Sequence, residues 1–238
     1  MKKIYLLSVA ALLTKLCGCN GINTLKGNGQ VTTKTVATEP FKNLKISCQC
    51  DVELIHSDTT QVIITADENL QPYFLVEQHN GELLVHNTDK ISFLKSSHCK
   101  VVIQMASIDK LDISGVGNIS CGNQLTADTL DLNVSGVGNI HLNLLVSKLM
   151  MRNKSVGNLQ ITGSGNIADV NNSSVGDMNM KDFHTKQMTI HNSSVGNASV
   201  YASEEITIEH SGIGNFSYSG DAAVKGLSAS SIGKVSKE

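Results

Sequence analysis

A five-residue phrase that recurs seven times between Ser114 and Lys234 restricts the fold of this chain more than any other feature. It reads SGVGN, SSVGN or a close variant, and its fourth residue is always glycine. Successive glycines lie 18 to 21 residues apart, at Gly117, Gly138, Gly157, Gly176, Gly196, Gly214 and Gly233. Self-similarity at this spacing is typical of a solenoid, in which each repeat packs on its neighbours.

The residues around the phrase predict strands. Apolar and polar residues alternate over Leu130–Val134, and the alternation resumes after the turn at Ile140. A period of two on both sides of a Gly-Asn turn indicates a strand, a bend and a second strand, whereas a helix tolerates so many glycines poorly. We therefore predict an all-β fold, a parallel β-helix with about 20 residues per coil, over residues 107–238.

Two columns of the repeat carry structural predictions. The glycines suit a tight bend at positive φ, which disfavours residues with a side chain. The next residue is asparagine in five copies, and stacked asparagines can form a ladder from coil to coil. Strand alternation also turns a second polar column inward, and we predict a buried, hydrogen-bonded ladder formed by Asn153, Asn172, Asn192 and His210.

The residues before the repeats divide into two predicted segments. Residues 39–106 are rich in strand patterns without repetition, and Asn80-Gly81 marks a hairpin. This segment would cover the first coil, which otherwise exposes strand edges. Residues 20–38 are polar and are interpreted as a flexible tether.

The amino terminus has the pattern of an export signal. Lys2 and Lys3 precede a short apolar core, Ile4–Leu13, and the sequence Leu16-Cys17-Gly18-Cys19 follows. This junction resembles the bacterial lipobox, which implies that residues 1–19 form a lipoprotein signal and that Cys19 is lipidated. The alternative is an ordinary cleaved signal with an incidental cysteine.

An exported chain can keep disulfides, and four cysteines lie beyond the signal. Cys48 and Cys50 face the same way on a predicted strand, so either can pair with Cys99. Cys121 occupies an inward position and is interpreted as a buried free thiol. The net charge of −2 and a single arginine give no sign of nucleic-acid binding, and the cysteines and histidines lack zinc-site spacing.

These features together resemble the family called "putative auto-transporter adhesin, head GIN domain" over about residues 25–235. The similar stretches are GNGQV, FKNLKISCQCDVELIHSD, NGELLV and LDISGVGNI. The CQC triplet departs from the family pattern, which commonly has small or apolar residues there. The resemblance implies a β-helical envelope protein, commonly a lipoprotein of Gram-negative bacteria, and it supplies no catalytic or binding residues.

We therefore expect a non-enzymatic outer-membrane lipoprotein that acts as an adhesion or surface-interaction module. Its partners would be the membrane, through the lipid anchor, and a protein or glycan that the sequence does not identify; no cofactor or metal is expected. One alternative is an envelope scaffold that binds another protein. A polysaccharide-active β-helix enzyme is less favoured because the carboxylates are scattered rather than paired.

Lipidation has a direct test. In cells fed a clickable fatty acid, the wild-type protein should carry the label, and Cys19→Ala should lose it. Cys17→Ala is the matched control and should remain labelled. Label retained by Cys19→Ala would contradict the assignment.

Overall fold

The computed structural model describes residues 24–88, 93–95 and 98–238. It confirms the predicted fold, a β-solenoid of about seven turns spaced roughly 19 residues apart and preceded by further strands. The predicted signal sequence and Cys19 lie outside the described residues.

Ten strands form the repeated part of the solenoid. They are β10 (Lys110–Ile113), β11 (Ile119–Cys121), β12 (Leu125–Val134), β13 (Ile140–Asn153), β14 (Leu159–Asn172), β15 (Met178–Asn192), β16 (Ala198–His210), β17 (Phe216–Ser219), β18 (Ala223–Ala229) and β19 (Val235–Lys237). All pair in parallel with the coil above or below, so that Leu132 faces Met151 and Met151 faces Val170. Equivalent residues of successive coils therefore stack in columns.

The coils bend at two recurring corners. One is the repeated turn phrase. At the other corner two successive residues face solvent, as Ser147 and Lys148 do in β13, and this break in the alternation bends the strand. Between the corners the inward residues, such as Leu142, Leu144 and Leu149, are fully buried. The core is thus a narrow apolar column that runs the length of the solenoid.

Glycine is required in the repeated turn for two reasons. The seven fourth-position glycines have φ between +130° and +147°, where side chains are disfavoured. A Cβ on Gly176 would also collide with the carbonyl oxygen of Gly157 in the preceding coil. The turns therefore stack backbone on backbone, and the amide of Gly176 donates to the carbonyl of Val195 at 2.8 Å.

The solenoid begins earlier than the repeated phrase suggests. Strands β3 (Asn43–Ser47) and β4 (Asp51–His56) pair in parallel with β10 and β11, and Gln49 bridges Val116. The Cys48-Gln49-Cys50 triplet thus occupies the turn position of Gly115-Val116-Gly117. Residues 43–56 add a coil to the solenoid, although their sequence was interpreted as non-repetitive.

Beyond this coil the sheet changes from parallel to antiparallel pairing. Strands β7 (Glu82–Asn87) and β9 (Lys100–Met105) extend the parallel stack, and β5 (Gln61–Asp67) and β6 (Phe74–His79) pair antiparallel with them. Asn80 and Gly81 both have positive φ, which confirms the predicted hairpin. A 3-10 helix, Glu68–Tyr73, lies between β5 and β6. These strands cover the amino-terminal end.

The prediction of a flexible tether over residues 20–38 is wrong for its second half. Strand β2 (Val31–Ala37) pairs antiparallel with β5 over seven residues. A short strand, β1 (Thr24–Lys26), pairs with β8 (Phe93–Lys95). The side chains of β2 are mostly exposed, and their polar composition led to the prediction of a tether. The strand is ordered instead by its backbone hydrogen bonds with β5, which composition does not show.

The turn geometry predicts an asymmetric effect of alanine substitution. Gly176→Ala should lower the melting temperature clearly, because positive φ alone costs about 1–3 kcal/mol for a residue with a side chain. Gly226→Ala, in β18, should change it little, since its Cβ would meet only a methyl group of Thr207 at 3.3 Å. Equal melting temperatures would contradict the assigned turn.

Candidate functional site

The inward polar column predicted from the sequence is placed inside the coil. Asn153, Asn172, Asn192 and His210 are each at most 1% exposed. The side-chain amide of Asn153 donates to Oδ1 of Asn172 at 3.0 Å, and that of Asn172 donates to Oδ1 of Asn192 at 2.7 Å. The column is a continuous hydrogen-bonded chain in the interior, where an unpaired polar group would be costly.

His210 ends this chain. The amide nitrogen of Asn192 lies 3.0 Å from Nδ1 of His210, and because an amide nitrogen can only donate, Nδ1 is the acceptor. Nε2 then carries the proton and donates to the carbonyl of Gly214 at 3.2 Å. The imidazole also packs on Phe216, with ring centroids 5.5 Å apart. Both ring nitrogens are used within the fold, which gives His210 a structural role.

Three buried serines complete the ladder, and the sequence analysis missed them. Ser155, Ser174 and Ser194 donate from Oγ to Oδ1 of the asparagine two residues earlier, at 2.7, 2.8 and 2.9 Å. The signal is present in the sequence. Where the inward residue is Asn, the second turn residue is Ser, and where it is Ile113, Val134 or His210, that residue is Gly.

The asparagine column after the glycines lies on the outside and works differently from an amide ladder. Oδ1 of Asn139 accepts the backbone N–H of Asn158 at 3.0 Å, and the same bond recurs along the solenoid. Asp51 and Asp177 fill the role equally, since a carboxylate accepts the next N–H at 2.8 and 2.7 Å. This column therefore requires a side-chain oxygen that accepts a hydrogen bond. Each such oxygen fixes the register of the turn in the next coil.

A stripe of exposed apolar side chains, the valine stripe, runs along the turn edge between these two polar columns. Six members are 47–52% exposed and the last is 74% exposed: Val116, Val137, Val156, Val175, Val195, Ile213 and Ile232. Successive members are joined by parallel bridges. Contiguous exposed apolar surface commonly marks a contact site, so this stripe is the first candidate interaction surface.

The cysteines take one of the two predicted pairings. Cys50 is bonded to Cys99, which links the first coil to the covering strands. Cys48 and Cys121 are free, and burial raises the pKa of Cys48 to about 12 and that of Cys121 to about 11. Both thiols are therefore protonated at neutral pH, and neither is an activated nucleophile.

Several carboxylates that a hydrolytic enzyme could use have surface partners instead. Asp131 lies 3.2 Å from Arg152 and Glu205 lies 3.2 Å from Lys225, while Glu209 accepts a hydrogen bond from Nδ1 of His191 at 2.7 Å. Hydrolysis of a glycoside uses two carboxylates that flank the substrate. These three carboxylates are instead spread along exposed strand faces, each beside a basic or imidazole side chain.

The described ranges contain no group of three His, Cys, Asp or Glu side chains that could hold a metal ion. In the same part of the chain, no helix has the length and apolar character required to cross a membrane.

The repeated glycine turn and the stacked coils place this chain among the β-solenoid repeat proteins. Comparison of its sequence with known families identifies the family. The model of the family "putative auto-transporter adhesin, head GIN domain" matches residues 40–222, so the chain belongs to this family. No protein of curated function matches it at a significant level.

Solved structures share the fold at 20% identity. A "putative adhesin" from Bacteroides fragilis NCTC 9343 has a TM-score of 0.84 over 90% of this chain and 100% of that chain. A "putative lipid binding protein" from Parabacteroides distasonis ATCC 8503 has a TM-score of 0.68 over 90% and 99%. A "putative adhesin" from Parabacteroides merdae ATCC 43184 has 0.61 over 91% and 99%. At this identity the likeness concerns the fold alone.

The ladder predicts a strong effect of one buried substitution. Asn172→Leu leaves the amide of Asn153 and the hydroxyl of Ser174 without their acceptor, and each unmet group costs about 1–3 kcal/mol. Asn171→Leu, at the adjacent exposed position, is the matched control. Thermal unfolding should show a clear loss for Asn172→Leu and a small change for Asn171→Leu. Similar melting temperatures would contradict an interior ladder.

The thiols predict a pH-dependent labelling pattern. Only the thiolate reacts with iodoacetamide, so labelling of Cys121 should rise about tenfold per pH unit from about pH 7 to about pH 10, while Cys48 stays unlabelled in the native protein. After unfolding without reductant, mass spectrometry should find label on Cys48 and Cys121 and none on Cys50 or Cys99. A plateau for Cys121 near pH 9 would contradict its raised pKa, which is about 11.

Proposed function

We propose that the protein is a non-enzymatic cell-envelope adhesion module, anchored by lipid at Cys19 and projecting a stiff solenoid from the outer membrane. The observation that carries the proposal is the valine stripe. Seven β-branched side chains, about half exposed or more, lie in one continuous row whose members are joined by parallel backbone bridges. Such a row offers a preformed contact surface with little ordering cost.

Two further observations support an envelope location. The Cys50–Cys99 disulfide suits an oxidising compartment outside the cytoplasm. The family is named for adhesion, and adhesins act at the cell surface.

The alternative is an envelope scaffold that binds another protein from the periplasmic side. The valine stripe would serve as the contact surface in both cases. The two functions therefore differ in the side of the outer membrane on which the protein lies. Catalysis on polysaccharides is a weaker alternative, because Asp131 and Glu205 form ion pairs with Arg152 and Lys225 on exposed strand faces.

The location is tested with an epitope tag after Glu238 in a Bacteroides host. Antibody should label intact cells as strongly as lysed cells. Labelling that requires lysis would contradict surface adhesion and favour the scaffold.

The contact role of the stripe is tested by making it polar without changing its shape. Val156→Thr with Val175→Thr keeps the β-branch and should leave the melting temperature nearly unchanged. Adherence of the expressing cells to epithelial monolayers should fall severalfold. Ile167→Thr, at an exposed apolar position off the stripe, is the matched control and should adhere normally. Unchanged adherence of the double variant would exclude the stripe as the contact surface.

A further inference from the structure

A groove of about 690 Å³ lies beside the second corner of the coil, away from the valine stripe. It runs across five successive strands, β12 to β16, parallel to the solenoid axis. Four intervals between coils give it a length of roughly 19 Å. Its position and shape make it a separate feature from the turn edge.

Small residues of β14 open the middle of the groove. In one outward column Ser164 lies between Leu145 and His184, both of which are longer. Beside it Gly165 belongs to the inward column, between the buried Val146 and Thr185. The floor is low at this coil because Ser164 is short, while the longer side chains of Leu145 and His184 in the neighbouring coils form higher walls.

An aromatic pair forms one wall. The rings of His184 and Tyr201 meet edge to face, with centroids 4.4 Å apart. The backbone next to them is fixed by side-chain hydrogen bonds, since Thr185 donates to the carbonyl of Tyr201 at 2.9 Å and Ser203 donates to that of Thr185 at 3.2 Å. The platform is thus preformed, as is usual for ligand sites.

The remaining lining is polar and close to neutral. Within the described part of the chain, the side chains of Ser147, Ser164 and Asn166 have no hydrogen-bond partner in the protein. The lining contains one carboxylate, Asp128, and one ammonium, Lys186, whose nitrogen also lies 4.0 Å from Glu204 outside the lining. Such a lining offers hydroxyl and amide groups at several successive coils and no cluster of like charge that would attract an ionic ligand.

We propose that this groove binds a linear, uncharged oligosaccharide laid along the solenoid axis. One sugar face stacks on Tyr201, whose ring offers a flat apolar surface with a polar tip, and the edge-to-face contact with His184 holds that ring in place. Hydroxyl and amide groups of Ser147, Ser164 and Asn166 exchange hydrogen bonds with the sugar hydroxyls. The inference deepens the proposed adhesion function, on which it rests, by naming a class of ligand.

The test titrates the purified protein with cellohexaose, mannohexaose, xylohexaose and chitohexaose, using saturation-transfer NMR and calorimetry. At least one should bind in the millimolar range or tighter, and binding should change little with added salt because the ligand is uncharged. Binding should weaken about tenfold or more in Tyr201→Ala, which removes the platform, and in Ser164→Leu, which fills the floor.

Gln160→Leu is the matched control, since it adds the same side chain to β14 outside the groove, and it should bind as the wild type does. Melting temperatures verify that all variants fold. Failure of every hexasaccharide to bind, or binding that Ser164→Leu and Tyr201→Ala leave unchanged, would overturn the proposal. If cells adhere but the protein binds no oligosaccharide, this inference is wrong and the adhesion function stands. If the protein binds an oligosaccharide but is not displayed on the cell surface, the adhesion function is wrong and this inference stands.

Discussion

Close stacking of backbone on backbone at the repeated turn is the contact on which the rest of the structure depends. It requires glycine, because φ is positive and the carbonyl of the preceding coil occupies the space of a Cβ. Once the turns stack, the residues on either side of them are placed above their counterparts in the neighbouring coil. The inward asparagines then meet to form a buried ladder, and the outer asparagine and aspartate oxygens meet the next backbone N–H. Both sets of hydrogen bonds stabilise the same register.

This regularity also determines what the surface can offer a partner. The side chain before the turn glycine faces outward in all seven copies of the repeat, so the valine stripe is continuous. The groove arises where the regularity is interrupted, since Ser164 is smaller than its outward neighbours Leu145 and His184, and the register of β15 with β16 shifts near Thr185. The repeat thus supplies the rigid scaffold, and local departures from it supply a shaped site.

The architecture and the buried ladder follow from the sequence because both depend on periodicity, which one chain displays. The coil at residues 43–56 was missed because cysteines replace the turn glycines there, although Asp51 keeps the acceptor of the outer column. Strand β2 was missed because its order comes from backbone pairing with β5 and leaves little side-chain pattern. The groove could not be predicted, because it depends on side-chain sizes across five coils and on the contact of His184 with Tyr201. The alternation of apolar and polar residues gives no information about either.

Native-state hydrogen exchange tests the stacked turn most directly. The amides of Gly138, Gly157 and Gly176 lie on an exposed edge, yet each donates to the next coil at 2.8–2.9 Å. They should exchange as slowly as amides of the central strands β13 to β15. Gly233 is the internal control, because no further coil covers it among the described residues, and its amide should exchange quickly. Fast exchange at all four glycines would show that the turns are not stacked and would contradict this account.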